Sequence, residues 1–251
     1  MIGIIGQGFV GNAVYQSFKD HFTVRTYDID SSKCNSTLEE VYECGIIFLC
    51  LPTPMSDDGS CDISILEEVL DSLPVNKIVV IKSTVPPRVV RQFEKKYRLR
   101  LVFNPEFLTA VNAVNDFKNQ DRIILGSNDT GVIEVGKIYK KVFNCPIYYC
   151  DSVEAMMCKY IVNTFLSMKV SFANEIFDFC QRDGIDYEEA VKLALTDKRL
   201  GESHWKVPGP DGQRGFGGTC FPKDVNAMIY EFDDLDATML NATWKKNLKV
   251  R

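Results

Sequence analysis

The stretch M-I-G-I-I-G-Q-G-F-V-G, Met1 to Gly11, decides the fold. Ile2 to Ile5 is a short apolar run, glycines come after it at Gly6, Gly8 and Gly11, and a helical pattern continues through Val14, Tyr15 and Phe18. Strand, glycine turn and helix in that order suit a dinucleotide. The glycines allow a tight turn, bring a pyrophosphate close to backbone N–H groups and let the helix pack closely on the strand. Glycine turns are common, so the pattern gains weight from the second strand. That strand, Thr23 to Tyr27, ends in Asp28, seventeen residues after Gly11, where an acidic side chain can hydrogen-bond a ribose 2′-hydroxyl. Asp28 would repel a 2′-phosphate, and only Asp30 and Lys33 come after it, with no arginine. The pattern therefore favours NAD over NADP. The other reading of Asp28 is a solvated turn residue at a strand end.

Further along, Ser36-Thr37-Leu38-Glu39 has the S-x-x-E form of a capping box and predicts a short helix. Gly45 to Leu51 is a continuous apolar run, as expected of a strand buried on both faces, and it stops at Pro52, Thr53 and Pro54. The amphipathic stretch Ile63 to Leu73 comes after a polar loop. Lys77 to Lys82 is another buried strand, ending in Ser83-Thr84-Val85-Pro86-Pro87 and a helix to about Tyr97. Leu99 to Phe103 runs into Asn104-Pro105-Glu106-Phe107-Leu108. Arg122 to Gly126 and Pro146 to Tyr149 are two more strands, with the helical segment Val132 to Val142 between them. Strands alternating with helices predict an α/β protein with a Rossmann-like, doubly wound parallel sheet over residues 1–150. Ligands of such sheets sit beyond the carboxyl ends of the strands, which makes the strand-end segments at 6–11, 51–55, 83–85 and 104–108 one surface.

From Asp151 the pattern changes. Ser152 to about Arg182 reads as one helix, uninterrupted by glycine or proline, with Met157, Ile161, Phe165, Met168, Phe172, Ile176 and Phe179 at helical spacing. A helix this long exceeds the usual globular length, so residues 151–251 are expected to form a helical domain that dimerises through it. Lys159 and Asn163 stand at i and i+4 and point the same way; a solvated lysine stem is the other fate open to Lys159. Tyr187 to Thr196 is a second helix, and Asp234 onward forms a last one. Between them, R-G-F-G-G-T-C-F-P-K-D, Arg214 to Asp224, sets one thiol before a Pro-Lys-Asp step that starts a helix continuing to Phe232. The positive pole of that helix favours the thiolate of Cys220, and Gly215, Gly217 and Gly218 let a substrate come close. A cation and a carboxylate within four residues favour a nucleophile over a small buried apolar residue.

Bulk properties narrow the class. A hydrophobic fraction of 45% with 25% charged residues over 251 residues is that of a globular protein with a real core. A net charge of −5 without Lys/Arg runs leaves no footprint for nucleic acid or an anionic membrane. The chain enters a strand pattern at once, with no signal-like segment and no membrane-length apolar run, so a cytoplasmic protein is expected. The scatter of the nine cysteines fits neither a disulfide framework nor zinc spacing, and with two histidines a metal site is not expected.

Taken together, G-Q-G-F-V-G, L-P-T-P, S-T-V-P, N-P-E-F-L, K-Y-I-V-N, D-K-R-L-G and G-F-G-G-T-C-F-P-K-D resemble, in this order, the UDP-glucose 6-dehydrogenase/GDP-mannose dehydrogenase family. The likeness spans the whole chain, and its last segment is the most specific. It implies NAD-dependent oxidation of a sugar C6 alcohol to a carboxylate in two hydride transfers. Cys220 resembles the nucleophile that holds the aldehyde as a thiohemiacetal and then a thioester. Lys159 and Asn163 resemble the pair that stabilises oxyanion charge. Asp224 resembles the carboxylate that positions a water, with Thr84 and Glu106 as further proton-handling candidates. The cofactor would be held by Gly6, Gly8, Phe9, Val10, Gly11, Asp28 and Lys33, by Leu51, Pro52, Thr53 and Pro54, and by Ser83, Thr84 and Val85. The nucleotide sugar would meet Glu106, Phe107, Leu108, Lys159, Asn163, Gly215, Phe216 and Gly217. Arg199 is similar to the arginine that reaches the partner subunit's substrate, and Lys206 and Arg214 could add phosphate contacts, although a charged loop is more often solvated.

Two departures stand out. Family members commonly carry a second glutamate four residues after Glu106, where this chain has Ala110. They are also usually far longer, so a short form without the C-terminal nucleotide-sugar-binding domain is expected. Two other functions stay open: a dimeric NAD-binding protein that lacks independent catalysis or needs a partner substrate domain, and an NAD-dependent dehydrogenase of a smaller hydroxy acid or alcohol.

Overall fold

Seven short runs become seven four-residue strands in the computed structural model, which describes residues 1–251. They are β1 (Ile2–Ile5), β2 (Val24–Tyr27), β3 (Ile46–Leu49), β4 (Ile78–Ile81), β5 (Arg100–Phe103), β6 (Ile123–Gly126) and β7 (Ile147–Cys150), in the sheet order β2-β1-β3-β4-β5-β6-β7. Ile2 stands level with both Val24 and Ile46, so β1 lies between its neighbours in register and in parallel. The order reverses direction at β1, the switch point at which such sheets bind their ligands. One detail departs from an all-parallel sheet: β6 runs antiparallel to β5, meeting it only at Phe103 and Gly126, while β6 and β7 are parallel to each other.

Because side chains alternate across a strand, the sheet feeds two cores. Ile47, Leu49, Val79, Ile81 and Phe103 face one, and Ile46, Phe48, Ile78, Val80 and Val102 the other. Helices α1 (Phe9–Phe18), α2 (Leu38–Tyr42), α3 (Ser64–Ser72), α4 (Pro87–Lys96), α5 (Ala113–Lys118) and α6 (Gly131–Val142) connect these strands. Phe18 on α1 anchors the second core, meeting the rings of Phe48 and Tyr139 edge-on at 5.6 and 5.5 Å. The capping box of α2 is Thr37 with Glu40, one residue later than Ser36 with Glu39. The segment S-T-L-E-E fits the rule in either frame, and the N–H of Ser36 is drawn to the Thr26 carbonyl, which leaves Thr37 as the first residue free to cap.

Two compact units result, one of residues 1–54 and 62–159, the other of 55–61 and 160–251. The long helix α7 (Ser152–Asp183) gives its first turns to one and the rest to the other. The second unit also holds α8 (Tyr187–Ala194), α9 (Phe221–Phe232) and α10 (Thr238–Val250). Its small apolar core is Ala173, Cys180, Tyr187 and Val207, with Phe177 packed on the Tyr187 ring at 5.3 Å. The polarity of α7 is inverted: Asn163, Ser167, Lys169, Ser171 and Asn174 are buried, while Ile161, Phe165, Phe172 and Phe179 are each about half exposed.

Candidate functional site

In the glycine turn after β1, Gly6 has φ of +90°, a conformation that only glycine adopts without strain. A Cβ on Gly11 would overlap the Gly6 carbonyl oxygen, so the start of α1 lies directly against the end of β1. The Asp28 carboxylate closes this turn from the next strand: Oδ2 accepts the Gln7 N–H at 2.5 Å and Oδ1 accepts the Asp30 N–H at 2.9 Å. The backbone of Asp28 is in turn held by Cys34, whose Sγ lies 3.1 Å from both its nitrogen and its carbonyl oxygen. Helix α1 begins with no side-chain cap and no acid in its first turn, so its free N–H groups can meet an anion. A cavity of about 630 Å³ opens here, lined by Gln7, Gly8, Phe9, Asn12, Thr26 and Lys33 among others.

The Gln7 carboxamide is buried, and its Nε2 has no hydrogen-bond partner. A glycine turn that helix and strand can approach only without a Cβ, an uncapped helix start and a buried donor lacking an acceptor together fit a dinucleotide pyrophosphate. Val10 lies on α1 and Lys33 pairs with Asp30 at 3.2 Å on the rim.

The segments after β3 and β4 are tied together. Ser83 Oγ accepts the Leu51 N–H at 3.0 Å and donates to the Leu51 carbonyl at 2.8 Å, which links L-P-T-P to S-T-V-P. Thr53 is buried beside the more exposed Pro52 and Pro54, Thr84 is half-buried, and the Val85 side chain belongs to the first core.

After β5 comes a polar cluster in the interior. Lys159 Nζ donates to the main-chain carbonyl of Glu106 and to its Oε1 at 2.8 Å, and Glu106 Oε2 accepts the Leu108 N–H at 2.7 Å. Both partners are nearly sealed from solvent, with side chains 4% and 7% exposed. The ring of Phe107 lies 5.5 Å from the Lys159 ammonium and 4.7 Å from the Arg122 guanidinium. One step earlier, Asn104 Oδ1 accepts from Lys82 Nζ at 2.9 Å and from the Tyr139 hydroxyl. Burial pulls the Lys82 pKa down to about 8 and pushes the nearby Cys50 thiol up to about 12. Neither Lys82 nor Tyr139 belongs to a motif that marks it in the sequence. The one available signal is a lysine closing an otherwise apolar strand.

In the second unit Cys220 is half-buried at the N-cap of α9, and its carbonyl accepts the Asp224 N–H at 2.9 Å. Pro222 falls in the first turn, where its missing N–H costs nothing. Asp224 is fully buried. Asn163 Nδ2 donates to its Oδ2 at 2.6 Å, and Lys223 Nζ meets its Oδ1 at 2.5 Å. Burial disfavours the Lys223 ammonium, but Asp224 outweighs it and the pKa rises. Lys223 is thus a further functional candidate, which in the sequence stands out only as the middle of a helix-start step.

The glycine turn before Cys220 is held from α10. Asn247 accepts the Phe216 N–H at 2.7 Å and donates to the Phe216 carbonyl at 3.0 Å. Gly215 has φ of +68°, and a Cβ on Gly217 would overlap the Arg251 guanidinium. Arg214 is engaged internally, donating to Asn174 Oδ1 at 3.1 Å and Asp178 Oδ1 at 2.5 Å. Arg199, by contrast, is exposed and paired only with Asp197. Lys169 braces that loop by donating to the Leu200 and Gly201 carbonyls at 2.9 and 2.8 Å. Lys206 is exposed, and no group of three or more His, Cys, Asp or Glu side chains could hold a metal ion.

Residues 34–144 match the NAD-binding domain of the UDP-glucose/GDP-mannose dehydrogenase family, and residues 153–249 match that family's central domain. UDP-glucose 6-dehydrogenase of Rickettsia bellii is 33% identical over 249 residues, covering 93% of this chain and 56% of the relative. The enzyme of the same name from Pseudomonas aeruginosa is 33% identical over 239 residues, covering 86% and 51%. A UDP-glucose dehydrogenase structure from Pyrobaculum islandicum superposes with a TM-score of 0.85 at 27% identity, over 99% of this chain and 68% of that one. The chain spans about half the length of the curated relatives it matches.

Proposed function

Since this chain belongs to the UDP-glucose/GDP-mannose dehydrogenase family, we propose that it takes part in NAD-dependent oxidation of a nucleotide sugar, carrying a C6 alcohol to a carboxylate. Bound NAD supplies the acceptor for a hydride, twice per sugar. The alcohol first becomes an aldehyde. The Cys220 thiolate then adds to the aldehyde carbon to give a thiohemiacetal, whose oxidation leaves a thioester. Water attacks that thioester, and the carbon–sulfur bond breaks to release the carboxylate and the thiolate. In sum, one alcohol, one water and two NAD give one carboxylate, two NADH and three protons.

The observation that carries this reading is the Asn163–Asp224 hydrogen bond beside Cys220. A buried amide and carboxylate fixed one helical turn from a thiol are pre-organised to hold an oxyanion and to manage the proton of an attacking water. On this reading Lys159 supplies the cation for the oxyanion, with Glu106 and Thr84 handling protons. Residues 1–150 hold the cofactor and 151–251 bring the nucleophile, while the exposed Arg199 reaches the substrate of a second copy.

The half-exposed stripe Ile161, Phe165, Phe172 and Phe179 on α7 supports a homodimer, because that much apolar surface in line is unfavourable to leave in water. No helix is long and apolar enough to cross a membrane, and the free thiols suit a reducing compartment, so we assign the protein to the cytoplasm.

Purified protein with NAD and UDP-glucose should form two NADH per sugar, and Cys220→Ala should abolish turnover. The alternative is a chain that turns over only with a partner substrate domain. A wild type that is inert across several nucleotide sugars, and active once such a partner is added, would select it. Full activity in Cys220→Ser would indicate simple dehydrogenation of a smaller alcohol.

A further inference from the structure

We propose that Lys82 and Tyr139 are positioning residues for the Glu106–Lys159 pair, acting on it through Asn104. Asn104 opens the turn after β5, and every polar group it owns is engaged. Its N–H donates to the Ile81 carbonyl at 2.9 Å, and its Nδ2 donates to the Ile124 carbonyl at 2.8 Å. Its Oδ1 accepts from Lys82 Nζ at 2.9 Å and from the Tyr139 hydroxyl, and its carbonyl accepts from the same ammonium at 3.3 Å. The next residue, Pro105, has no N–H with which to hold the turn. Two residues on from Asn104, Glu106 grips Lys159. A continuous buried chain therefore runs from Lys82 through Asn104 and Glu106 to Lys159.

Packing alone gives no reason for a lysine at this place. The residue is 4% exposed and its ammonium lies 5.2 Å from the Phe117 ring, so methionine would fill the space without burying a charge. The groups that face it are Asn104, Tyr139, the Cys50 thiol and, by their charges, Glu106 and Lys159. Carrying a cation into this interior is unfavourable, and the use the fold makes of it is to fix both oxygens of Asn104 at once.

The inference rests on the reading of Lys159 as the cation that meets the oxyanion, but its test needs no turnover. The full chain is treated with trace acetic anhydride, and the acetylation of each lysine is read by mass spectrometry. Lys169, also buried and hydrogen-bonded to the Leu200 and Gly201 carbonyls, is the internal reference. In Lys82→Met the Lys159-to-Lys169 labelling ratio should rise roughly tenfold, and in Tyr139→Phe about threefold, as Glu106 loses its fixed position. If Lys82→Met does not fold, Tyr139→Phe decides alone. An unchanged ratio in folded variants, or Lys159 and Lys169 rising together as in general loosening, would overturn the proposal. A specific rise in a chain that oxidises no nucleotide sugar would keep this coupling and discard the catalytic reading.

Discussion

Asn163 donates to Asp224 Oδ2 at 2.6 Å across two helices of the second unit, in the interior and next to the Cys220 turn. Because Asp224 is fully buried, removing that donor leaves a carboxylate oxygen unsatisfied. Asn163→Leu should lower the unfolding free energy by about 2 kcal/mol in denaturant titrations. Asp224→Asn, which strips the charge from Lys223's partner, should lower it as well.

Stability should depend on pH through Lys82. Its pKa falls from 10.5 to about 8 on folding, so between these values the unfolded chain binds more protons and stability rises with pH. The penalty is present in full below about pH 8 and is relieved as pH climbs toward 10.5. It amounts to ~3 kcal/mol, at about 1.4 kcal/mol per pKa unit. Urea titrations from pH 7 to 10 should show this slope in wild type and a flatter one in Lys82→Met.

Two glycine-to-alanine changes should behave differently. In Gly11→Ala the new methyl overlaps a backbone carbonyl that cannot move away, and destabilisation of roughly 3 kcal/mol or more is expected from thermal melts. In Gly217→Ala it meets the mobile end of Arg251, which can swing aside at the cost of its 2.6 Å contact with Asp211. A loss under about 1 kcal/mol is expected there, since an exposed ion pair contributes little.

The stripe on α7 predicts the oligomeric state. Sedimentation of the wild type should report a dimer, and Phe172→Glu, which puts a charge into a half-exposed aromatic position, should shift it to monomer without lowering helix content. A wild type that sediments as a monomer at micromolar concentration would count against the dimer.

Much of this fold is legible in the sequence, and the parts that are not have physical causes. β1, β3 and β4 can be read as continuous apolar runs because they are buried throughout, and α7 because 32 residues at helical period leave a long signal; β2 and β7, only partly buried, are placed by the turns and helices around them. The short α5 leaves none: V-N-A-V-N-D-F offers two asparagines and little more than one turn, and the helix forms because Phe117 packs among Phe18, Tyr139 and Phe143. The antiparallel β5–β6 pairing lies outside any residue pattern, since it is set by where the chain between them turns. At the site, spacing brings Asn163 and Lys159 to one side of a helix. It does not show that Lys159 is held by Glu106, that Asp224 answers to Lys223 as well as Asn163, or that Arg214 is engaged by Asn174 and Asp178. Most of those partners are distant in sequence and meet only on folding.

The most direct measurement is the amount of NADH formed per UDP-glucose consumed, in wild type and in Cys220→Ala. Two NADH per sugar, with no carboxylate formed by the variant, is the result expected of a thiol-bound intermediate. One NADH per sugar, or a variant that still completes both oxidations, would contradict it.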